Sequence, residues 1–462
     1  MDESIFKAYD VRGVFPTQLD EDAGYRIGRA VAASLGVPRV AVGRDMRLSS
    51  PALARALVSG LTEGGTGVVD LGLASTDQLY YAVGRFGYPA GVMVTASHNP
   101  PEYNGFKLCR AGAVPISSET GLREIAASAV AGRFPRSAST GVVTGRDVLD
   151  DYAAHVLSFA DPVRMQRLKV VVDAGNGMAG LTVPPVFRGL PCDLIPLFFE
   201  PDGRFPNHPA NPLEPENVAD LQRAVRAHGA DLGAAFDGDA DRVFLVDEAG
   251  ARLDGSTTTA LVARSLLAKV PGATVLYNLI CSRSVPEFVA RAGGRAVRTR
   301  VGHSFIKQVM REENAVFGGE HSGHFYFRDN WYADSGLIAL VAVLDLLGRD
   351  TRPLSALVRD VDTRVRSGEI NSRVPDVCGT LAALEQRYAD GEIDHLDGLT
   401  VSYPDWWFNV RPSNTEPLLR LNVEADDLRV METKRDDVLA VIRSRAPQSS
   451  PAPRTSHVPP VA

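Results

Sequence analysis

The 462-residue sequence is poor in cysteine and has no long apolar run. None of its widely spaced cysteines lies in a CxxC pair, which argues against a zinc site and against a disulfide framework. They are Cys109, Cys192, Cys281 and Cys378. The longest apolar stretch, residues 337–344, ends at Asp345 and is too short to span a bilayer. The sequence therefore predicts neither a membrane protein nor a disulfide-stabilised scaffold.

The chain also lacks a basic region. Its net charge is −7, and Lys and Arg form no long run, so nucleic acid is not expected as the main partner. The first seven residues, MDESIFK, do not have the character of a signal peptide. We therefore expect a cytoplasmic protein that binds neither nucleic acid nor a membrane.

The length of the chain exceeds what one hydrophobic core usually holds, so three or four domains are expected. Residues 39–43 and 67–71 are typical of strands, and residues 50–63 between them are typical of a helix. Strand and helix patterns continue to alternate as far as residue 312, whereas residues 398–424 indicate β-strands around a turn. This order predicts α/β units followed by a last unit of a different kind.

A serine follows one of the predicted strands. Residues 95–100, TASHNP, come directly after the apolar residues 90–94 and place Ser97 beside His98. A buried strand that ends in small and turn-forming residues would carry this hydroxyl into a loop. For a lone Ser–His pair, a helix cap or a surface turn would be the simpler interpretation. A second motif, far along the chain, favours a functional hydroxyl.

Three carboxylates are concentrated in residues 237–242, DGDADR, between two apolar strand-like runs. Asp237, Asp239 and Asp241 repel one another, so a loop that gathers them needs a cation, and hard oxygen ligands favour Mg²⁺ or Ca²⁺. An EF-hand is excluded because it requires flanking helices and a glycine at position six, where Arg242 stands. A solvated acidic turn is the remaining structural alternative.

Five segments together resemble the α-D-phosphohexomutases, most closely the bacterial phosphomannomutase/phosphoglucomutase branch. The serine and acidic motifs are accompanied by YDVRG at residues 9–13, GEHSGH at 319–324 and RPSNTEP at 411–417. The segments follow the order of the family and span the whole chain except its tail. Any one of them would be weak evidence, whereas five in register are very specific.

The resemblance implies an α/β fold: three similar mixed-sheet α/β domains and a smaller α+β C-terminal domain around a central cleft. The expected phosphoserine domain spans residues 1–147, the metal-binding domain 148–251, the sugar-binding domain 252–362 and the phosphate-binding domain 363–447. Residues 448–462 hold four prolines and are expected to form a disordered tail.

The resemblance also implies an enzyme, an intramolecular phosphotransferase of the isomerase class. Ser97 would carry a phosphate, transfer it to a hexose phosphate, and take back the other phosphate from a hexose 1,6-bisphosphate intermediate. Asp237, Asp239 and Asp241 would hold one Mg²⁺ ion per chain, together with an oxygen of the Ser97 phosphate. Hexose 1,6-bisphosphate would also act as activator. The chain would work as a monomer or dimer.

Such a site needs additional positive charge. Three carboxylates and a phosphate of about −2 leave it near −3 even with Mg²⁺ bound. Arg12, Lys107 and Arg242 lie in or beside the matching motifs and are the expected cations. Lys107 and His324 are the candidates for general acid and base, with His98 as a third. Because adjacent side chains usually diverge, His98 is expected to shape the loop instead.

Other residues are assigned to the substrate by the resemblance alone. Glu320 and Ser322 would bind the hydroxyls of the sugar ring. Tyr9 belongs to the N-terminal motif, and Arg300 and His303 resemble a loop that closes over the substrate. A further set would hold the non-reacting phosphate: Arg411, Ser413, Asn414, Thr415 and Arg420.

One residue departs from the family pattern. Close relatives carry a lysine on the strand before Cys281, where this chain has Ile280. The substrate contacts of this strand are therefore in doubt, and Arg300 is a candidate to compensate.

Among the functions of the family, the sequence favours a phosphomannomutase that also acts on glucose phosphates. Mannose and glucose differ only at C2, so a site that holds O3, O4 and a phosphate would discriminate weakly between them. The alternatives are a phosphoglucosamine mutase, which usually has glycine where this chain has Asn414, and a metal-dependent sugar phosphatase.

Overall fold

The computed structural model describes residues 1–412 and 418–444, apart from the side chain of His303. The chain divides into two compact units, Met1–Asp362 and Thr363–Ala462. Within the described residues, three sheets lie in the first unit and a fourth lies in the second. The expected tail at 448–462 lies outside the described residues, and the expected domain boundaries stay predictions.

The first sheet is mixed and has seven strands. Its strands run in the order β1-β5-β4-β2-β3-β7, and β6 pairs with β5. The elements are β1 Val11–Val14, α1 Glu21–Leu35, β2 Arg39–Arg44, α2 Ser50–Glu63, β3 Gly67–Leu73, α3 Thr76–Phe86, β4 Ala90–Val94, β5 Tyr103–Arg110, β6 Val114–Pro115, α4 Arg123–Ala131 and β7 Val143–Gly145. Strand β4 lies inside the sheet and all five of its residues are buried, so its apolar sequence forms core.

The second sheet has four strands in the order β11-β10-β8-β9. The elements are α5 Leu149–Leu157, β8 Leu168–Asp173, α6 Ala179–Phe187, β9 Cys192–Leu197, α7 Ala219–His228, β10 Leu232–Phe236 and β11 Val243–Asp247. Strands β10 and β11 are fully buried and pair in an antiparallel manner, so the acidic segment between them is a strand-connecting loop.

The third sheet has five strands in the order β13-β12-β14-β15-β16. The elements are α8 Gly255–Lys269, β12 Thr274–Asn278, α9 Ser284–Arg291, β13 Arg295–Thr299, α10 His303–Glu312, β14 Phe317–Gly319, β15 Phe325–Phe327, β16 Ala333–Asp334, α11 Gly336–Gly348 and α12 Leu354–Val361. The longest apolar run of the sequence lies in α11, which is buried almost all round within the core. Such a helix needs no polar face.

The second unit is built on an antiparallel sheet in the order β17-β22-β21-β20-β19, with β18 pairing β22. The elements are β17 Val365–Arg366, β18 Ile370–Arg373, α13 Val377–Arg387, β19 Glu392–Asp394, β20 Leu399–Ser402, β21 Trp406–Pro412, β22 Leu418–Ala425 and α14 Leu428–Arg443. Helix α14 packs Val438, Leu439 and Ile442 against this sheet, as its apolar pattern predicts.

Among the described residues, none of the helices combines the length and the apolar character that crossing a membrane requires.

A buried carboxylate connects three helices of the first unit. Asp77, in the first turn of α3, accepts hydrogen bonds from the hydroxyls of Ser75, of Tyr152 on α5 and of Ser335, the residue that caps α11. Burial raises the pKa of Asp77 to about 6, and the three hydroxyl donors oppose that rise. The junction therefore depends on these donors.

Tyr152→Phe removes one donor from this junction. We expect the free energy of unfolding of the first unit to fall by about 1.5–3 kcal/mol, as for other hydrogen bonds to charged groups. Tyr25→Phe is the matched control, because it removes a half-exposed hydroxyl that donates to Glu63 at 2.7 Å and accepts from Arg29 at 2.9 Å. It should cost less than Tyr152→Phe, since water can replace both partners. Urea unfolding of both variants measures the difference, and equal losses would contradict a structural role of the junction.

Candidate active site

The serine loop leaves the end of β4 and bends sharply at Ser97. Ser97 has a positive φ of 52°, a backbone conformation that residues other than glycine rarely adopt. Its backbone N–H donates to Thr95 Oγ1 at 2.9 Å. Its side chain is buried, and Oγ donates to Asp237 Oδ2 at 2.7 Å. The loop thus directs the hydroxyl to the acidic loop of the second sheet.

The three aspartates of that loop converge on one point. Asp237, Asp239 and Asp241 are almost completely buried, and their ligand atoms all lie within 4.8 Å of one another. Buried oxygen atoms Oδ1 of Asp239 and Asp241 have no hydrogen-bond partner. A hard divalent cation matches this donor set, because it binds carboxylate oxygens and offsets their mutual repulsion.

The chain's own cations already offset much of this charge. Lys107 Nζ donates to Asp239 Oδ2 at 2.7 Å and to Asp241 Oδ2 at 2.5 Å. Arg242 Nη2 donates to Asp237 Oδ2 at 2.8 Å and to Ser97 Oγ at 3.2 Å. Two of the three carboxylate charges are therefore balanced, and Arg242 contacts both Ser97 and the acidic loop.

Burial and neighbouring charges shift the pKa values of the three aspartates in different directions. Burial raises the pKa of Asp241 to about 6, with the neighbouring Asp239 adding to the effect, and burial also raises the pKa of Asp237. Burial acts in the same sense on Asp239, but the Lys107 ammonium outweighs it and holds the pKa of Asp239 below its usual value. A divalent cation would therefore compete with a proton at Asp237 and Asp241 more than at Asp239.

Two histidines lie beside Ser97 and the acidic loop. His324 Nδ1 is 3.1 Å from Ser322 Oγ, and its Nε2 is 3.8 Å from Asp241 Oδ1. His98 does not point away from its neighbour as expected: its Nδ1 is 3.3 Å from Ser97 Oγ. Burial lowers the pKa of His324 to about 4 and that of His98 well below its usual value. Both imidazoles are thus neutral near pH 7 and can accept a proton.

Lys107 is a weaker candidate for the base. Burial alone would lower the pKa of this ammonium, but the charges of Asp239 and Asp241 outweigh burial and raise it. Lys107 therefore stays charged.

The loop of residues 320–324 joins β14 to β15 and lies against the acidic loop. His324 forms an isolated antiparallel bridge with Arg242, which ties the two loops together. Glu320 is fixed from two sides: Tyr326 Oη donates to Oε2 at 2.6 Å, and the backbone N–H of Gly302 donates to Oε1 at 3.2 Å.

The N-terminal motif meets the serine loop of the first sheet and the start of α10 in the third sheet region. Arg12 donates from Nη1 to Asn99 Oδ1 in the serine loop at 2.6 Å. Tyr9 contacts the edge of the Phe305 ring, with centroids 6.5 Å apart, and the Arg300 guanidinium lies 4.5 Å from the centroid of the same ring. Tyr9 and Arg300 are therefore brought together at the first turn of α10.

Two further residues of the third sheet region were singled out by the sequence. Ile280 is buried, but it does not lie on the strand as expected: β12 ends at Asn278, two residues before it. The expected role of the His303 side chain lies outside the described residues.

In the second unit, two arginines face each other across paired strands. Arg411 on β21 and Arg420 on β22 are direct partners in the antiparallel register. Like charges in this position repel, and Glu369 offsets the repulsion with contacts of 2.9 Å to Arg411 and 3.3 Å to Arg420. The expected phosphate contacts of Ser413, Asn414 and Thr415 lie outside the described residues.

Comparison with known proteins agrees with this arrangement. Models of the phosphoglucomutase/phosphomannomutase family match four successive parts of the chain: α/β/α domain I at residues 3–136, domain II at 150–250, domain III at 254–364 and the C-terminal domain at 369–441. The chain belongs to the phosphoglucomutase/phosphomannomutase family.

Members of this family include relatives of almost the same length. The chain is 44% identical over 445 residues to a protein of Xanthomonas campestris named "Phosphohexose mutases", a match that covers 95% of this chain and 99% of the relative. It is 42% identical to an Escherichia coli phosphomannomutase, with the same coverage of the two chains. The crystal structure of a family protein from Burkholderia thailandensis has a TM-score of 0.89 and 35% identity, covering 97% of this chain and 99% of that one.

Family membership confirms the fold class and the enzyme class expected from the sequence. Each of the four parts carries its own mixed or antiparallel sheet, and the chain is a phosphohexomutase-type enzyme. The roles of the individual site residues stay predictions.

Two side chains at the site were missed by the sequence reasoning. Thr76, the first residue of α3, donates from Oγ1 to Asp239 Oδ2 at 2.5 Å. Arg47 donates to backbone carbonyls of the serine loop. Neither residue lies in a motif that names its partner, because both contacts join segments that are distant in the sequence.

Asp239→Asn tests the acidic loop as a cation site. We expect at least about a tenfold loss of Mg²⁺ affinity, measured by calorimetry, because one charged oxygen ligand is removed, and we expect kcat to fall far more than KM rises. Asp173→Asn is the matched control, since Asp173 is equally buried at the end of β8 in the same sheet but pairs with His208. Full wild-type activity in excess EDTA would contradict the assignment.

Proposed function

We propose that this family member interconverts mannose 6-phosphate and mannose 1-phosphate, and also the glucose phosphates, through a phosphoserine at Ser97 and a hexose 1,6-bisphosphate. The observation that carries the proposal is the 2.7 Å contact of Ser97 Oγ with Asp237 inside a buried triad of aspartates. A phosphate on this serine would lie where cation ligands and Arg242 converge. The names of the relatives from Escherichia coli and Xanthomonas campestris agree with this activity.

Each half of the reaction moves one phosphoryl group. In the first, the bond between phosphorus and Ser97 Oγ breaks as a substrate hydroxyl oxygen bonds to phosphorus. The hydroxyl proton passes to a neutral base, and the freed Ser97 Oγ takes up a proton. In the second, Ser97 Oγ gives its proton to a base and bonds to the phosphorus at the other end of the sugar, and the released sugar oxygen takes up a proton. His324 and His98 are the candidate bases, because burial keeps both neutral.

Charge neutralisation is the main task of the surrounding groups. Mg²⁺ held by Asp237, Asp239 and Asp241 would supply positive charge at the phosphate oxygens, one ion per chain. Arg242 already contacts Ser97 Oγ and would stabilise charge on the transferred group. Lys107 would remain an ammonium beside the same phosphate. Arg12 would hold the serine loop from its other side through Asn99.

Sugar recognition is assigned to the loop between β14 and β15. Glu320 is fixed by Tyr326 and by the Gly302 N–H, so its oxygens are held in place before substrate binds. Together with Ser322, it would accept and donate hydrogen bonds to ring hydroxyls in either orientation of the bisphosphate. Tyr9, Arg300 and His303 would contact substrate from the start of α10.

The non-reacting phosphate would be bound by the second unit. Arg411 and Arg420 present two guanidinium groups against one carboxylate, so the pair retains net positive charge toward an anion. Ser413, Asn414 and Thr415 would add hydroxyl and amide donors. Hexose 1,6-bisphosphate would act as activator because it phosphorylates Ser97.

Ser97→Ala tests the central claim. After incubation with hexose 1,6-bisphosphate, intact-mass and peptide analysis should place a phosphate on Ser97 of the wild type and none on the variant, and the variant should lose most mutase activity. The coupled assay compares mannose 1-phosphate, glucose 1-phosphate and glucosamine 1-phosphate. Wild-type turnover by the alanine variant would contradict the phosphoserine mechanism. Preference of the wild type for glucosamine 1-phosphate would favour a phosphoglucosamine mutase.

Arg420→Ala tests the phosphate-binding role of the second unit. We expect KM to rise and kcat to fall, because a weakly held intermediate escapes before its second phosphate reaches Ser97 and leaves the serine unphosphorylated. Activity should then depend more strongly on added hexose 1,6-bisphosphate. Arg373→Ala, on neighbouring β18, provides a surface-arginine control. A pure KM effect with unchanged dependence on the activator would reduce Arg420 to a passive anchor.

A further inference from the structure

A completely buried arginine lies beneath the serine loop. Arg47 follows β2, and its side chain has no exposed surface. Its Nη2 donates to the carbonyl oxygens of Ser97 at 2.9 Å and Asn99 at 2.6 Å. Its Nη1 donates to the carbonyl oxygens of Pro100 at 2.7 Å and Tyr103 at 2.9 Å. One guanidinium therefore holds four carbonyls of the loop that carries the nucleophile.

We infer that Arg47 is a positioning residue that holds Ser97 in line for phosphoryl transfer in both directions. The inference rests on the proposed function, because it assigns Arg47 a part in the same reaction. Arg47 acts through the backbone of the loop, whereas Arg12, Lys107 and Arg242 meet side chains.

The conformation of Ser97 explains why such a clamp is needed. Its positive φ is unfavourable for a serine, so the loop would relax to another conformation unless the surroundings hold it. Arg47 donates a hydrogen bond to the Ser97 carbonyl oxygen. A Cβ atom added at Gly238 would lie 2.5 Å from the same oxygen, so the backbone of residue 238 approaches it closely. The backbone at the nucleophile is thus confined from two sides.

A lysine cannot replace this arrangement. The planar guanidinium presents two separate Nη groups that each bond two carbonyls, whereas an ammonium is a single point with three donors. Asp45 lies beside the third nitrogen, with Oδ2 3.3 Å from Arg47 Nε, and Asp45 Oδ1 accepts from the Arg47 backbone N–H at 3.0 Å. The Nε contact is an ion pair without a hydrogen bond, and it places the carboxylate charge of Asp45 beside the guanidinium.

The second sheet region covers the other side of Arg47. The Phe205 ring lies 5.2 Å from the guanidinium carbon, in the range of a cation–π contact. A Cβ at Gly203 would lie 2.6 Å from Arg47 Cα, so this loop approaches as closely as glycine allows. The loop is fixed to the turn after β8, because Asn207 donates to Asn176 at 2.8 Å. Arg47 therefore links the nucleophile loop to the sheet that carries the aspartates.

The test compares Arg47→Lys with Arg311→Lys. Arg311 is a matched control, since it also donates to three backbone carbonyls, those of Gly112, Lys307 and Trp331. Each protein is phosphorylated with hexose 1,6-bisphosphate, the phosphoserine fraction is measured by intact mass, and transfer to mannose 1-phosphate is followed in a single turnover. The rate is expressed per phosphoserine, so loss of folded protein does not enter it.

We expect Arg47→Lys to lower the transfer rate at least about tenfold, with KM changed less than about twofold, because misplacement of a reacting atom affects the transition state more than substrate binding. Arg311→Lys should keep the wild-type rate. A wild-type rate in Arg47→Lys, or an equal loss in both variants, would overturn the inference. A wild type that takes no phosphate on Ser97 would instead overturn the proposed function.

Phe205→Leu keeps the inference testable if Arg47→Lys does not fold. This variant removes the ring that covers the guanidinium and leaves all hydrogen-bond donors in place. The transfer rate per phosphoserine should fall in the same direction by a smaller factor. A rate equal to that of the wild type would then contradict the role of Arg47.

Discussion

The structure of the candidate site depends on one electrostatic constraint, the burial of three carboxylates beside the hydroxyl of Ser97. In a low-dielectric interior, isolated carboxylates of this kind would take up a proton and become neutral. Asp239 keeps its charge because Lys107 lies 2.7 Å away, and Asp237 faces Arg242 at 2.8 Å. The remaining charge suits a divalent cation, so the acidic loop, the serine loop and the buried cations form one electrostatic unit.

The same constraint explains why the loops come from different sheets. The serine loop follows β4, the acidic loop lies between β10 and β11, and Lys107 lies on β5. A single short loop could not place a serine hydroxyl, three carboxylates and a lysine ammonium so that they face one another. The ends of separate strands can meet at one edge of their sheets and bring such groups together. The bridge between Arg242 and His324 adds the loop between β14 and β15 of the third sheet to this group.

Backbone conformation and close approach hold these loops in place. Ser97 and Ala240 both adopt positive φ, and a Cβ at Gly238 would lie 2.5 Å from the Ser97 carbonyl oxygen. Conformations of this kind persist only where the surroundings determine them. Here those surroundings include the Arg47 guanidinium and the loop around Phe205. The conformation of Ser97 therefore depends on residues from both the first and the second sheet regions.

By itself, the sequence determined the family, the fold class and the types of residue at the site. Short-range signals carry this information: the apolar run before Ser97, the three alternating aspartates, and the apolar period that places α14 on its sheet. Only the tertiary structure decided that His98 turns toward Ser97, that Lys107 lies between two aspartates, and that Arg47 clamps the serine loop. These contacts depend on how separate strands pack and on which backbone oxygens they leave unpaired, and no local pattern encodes either.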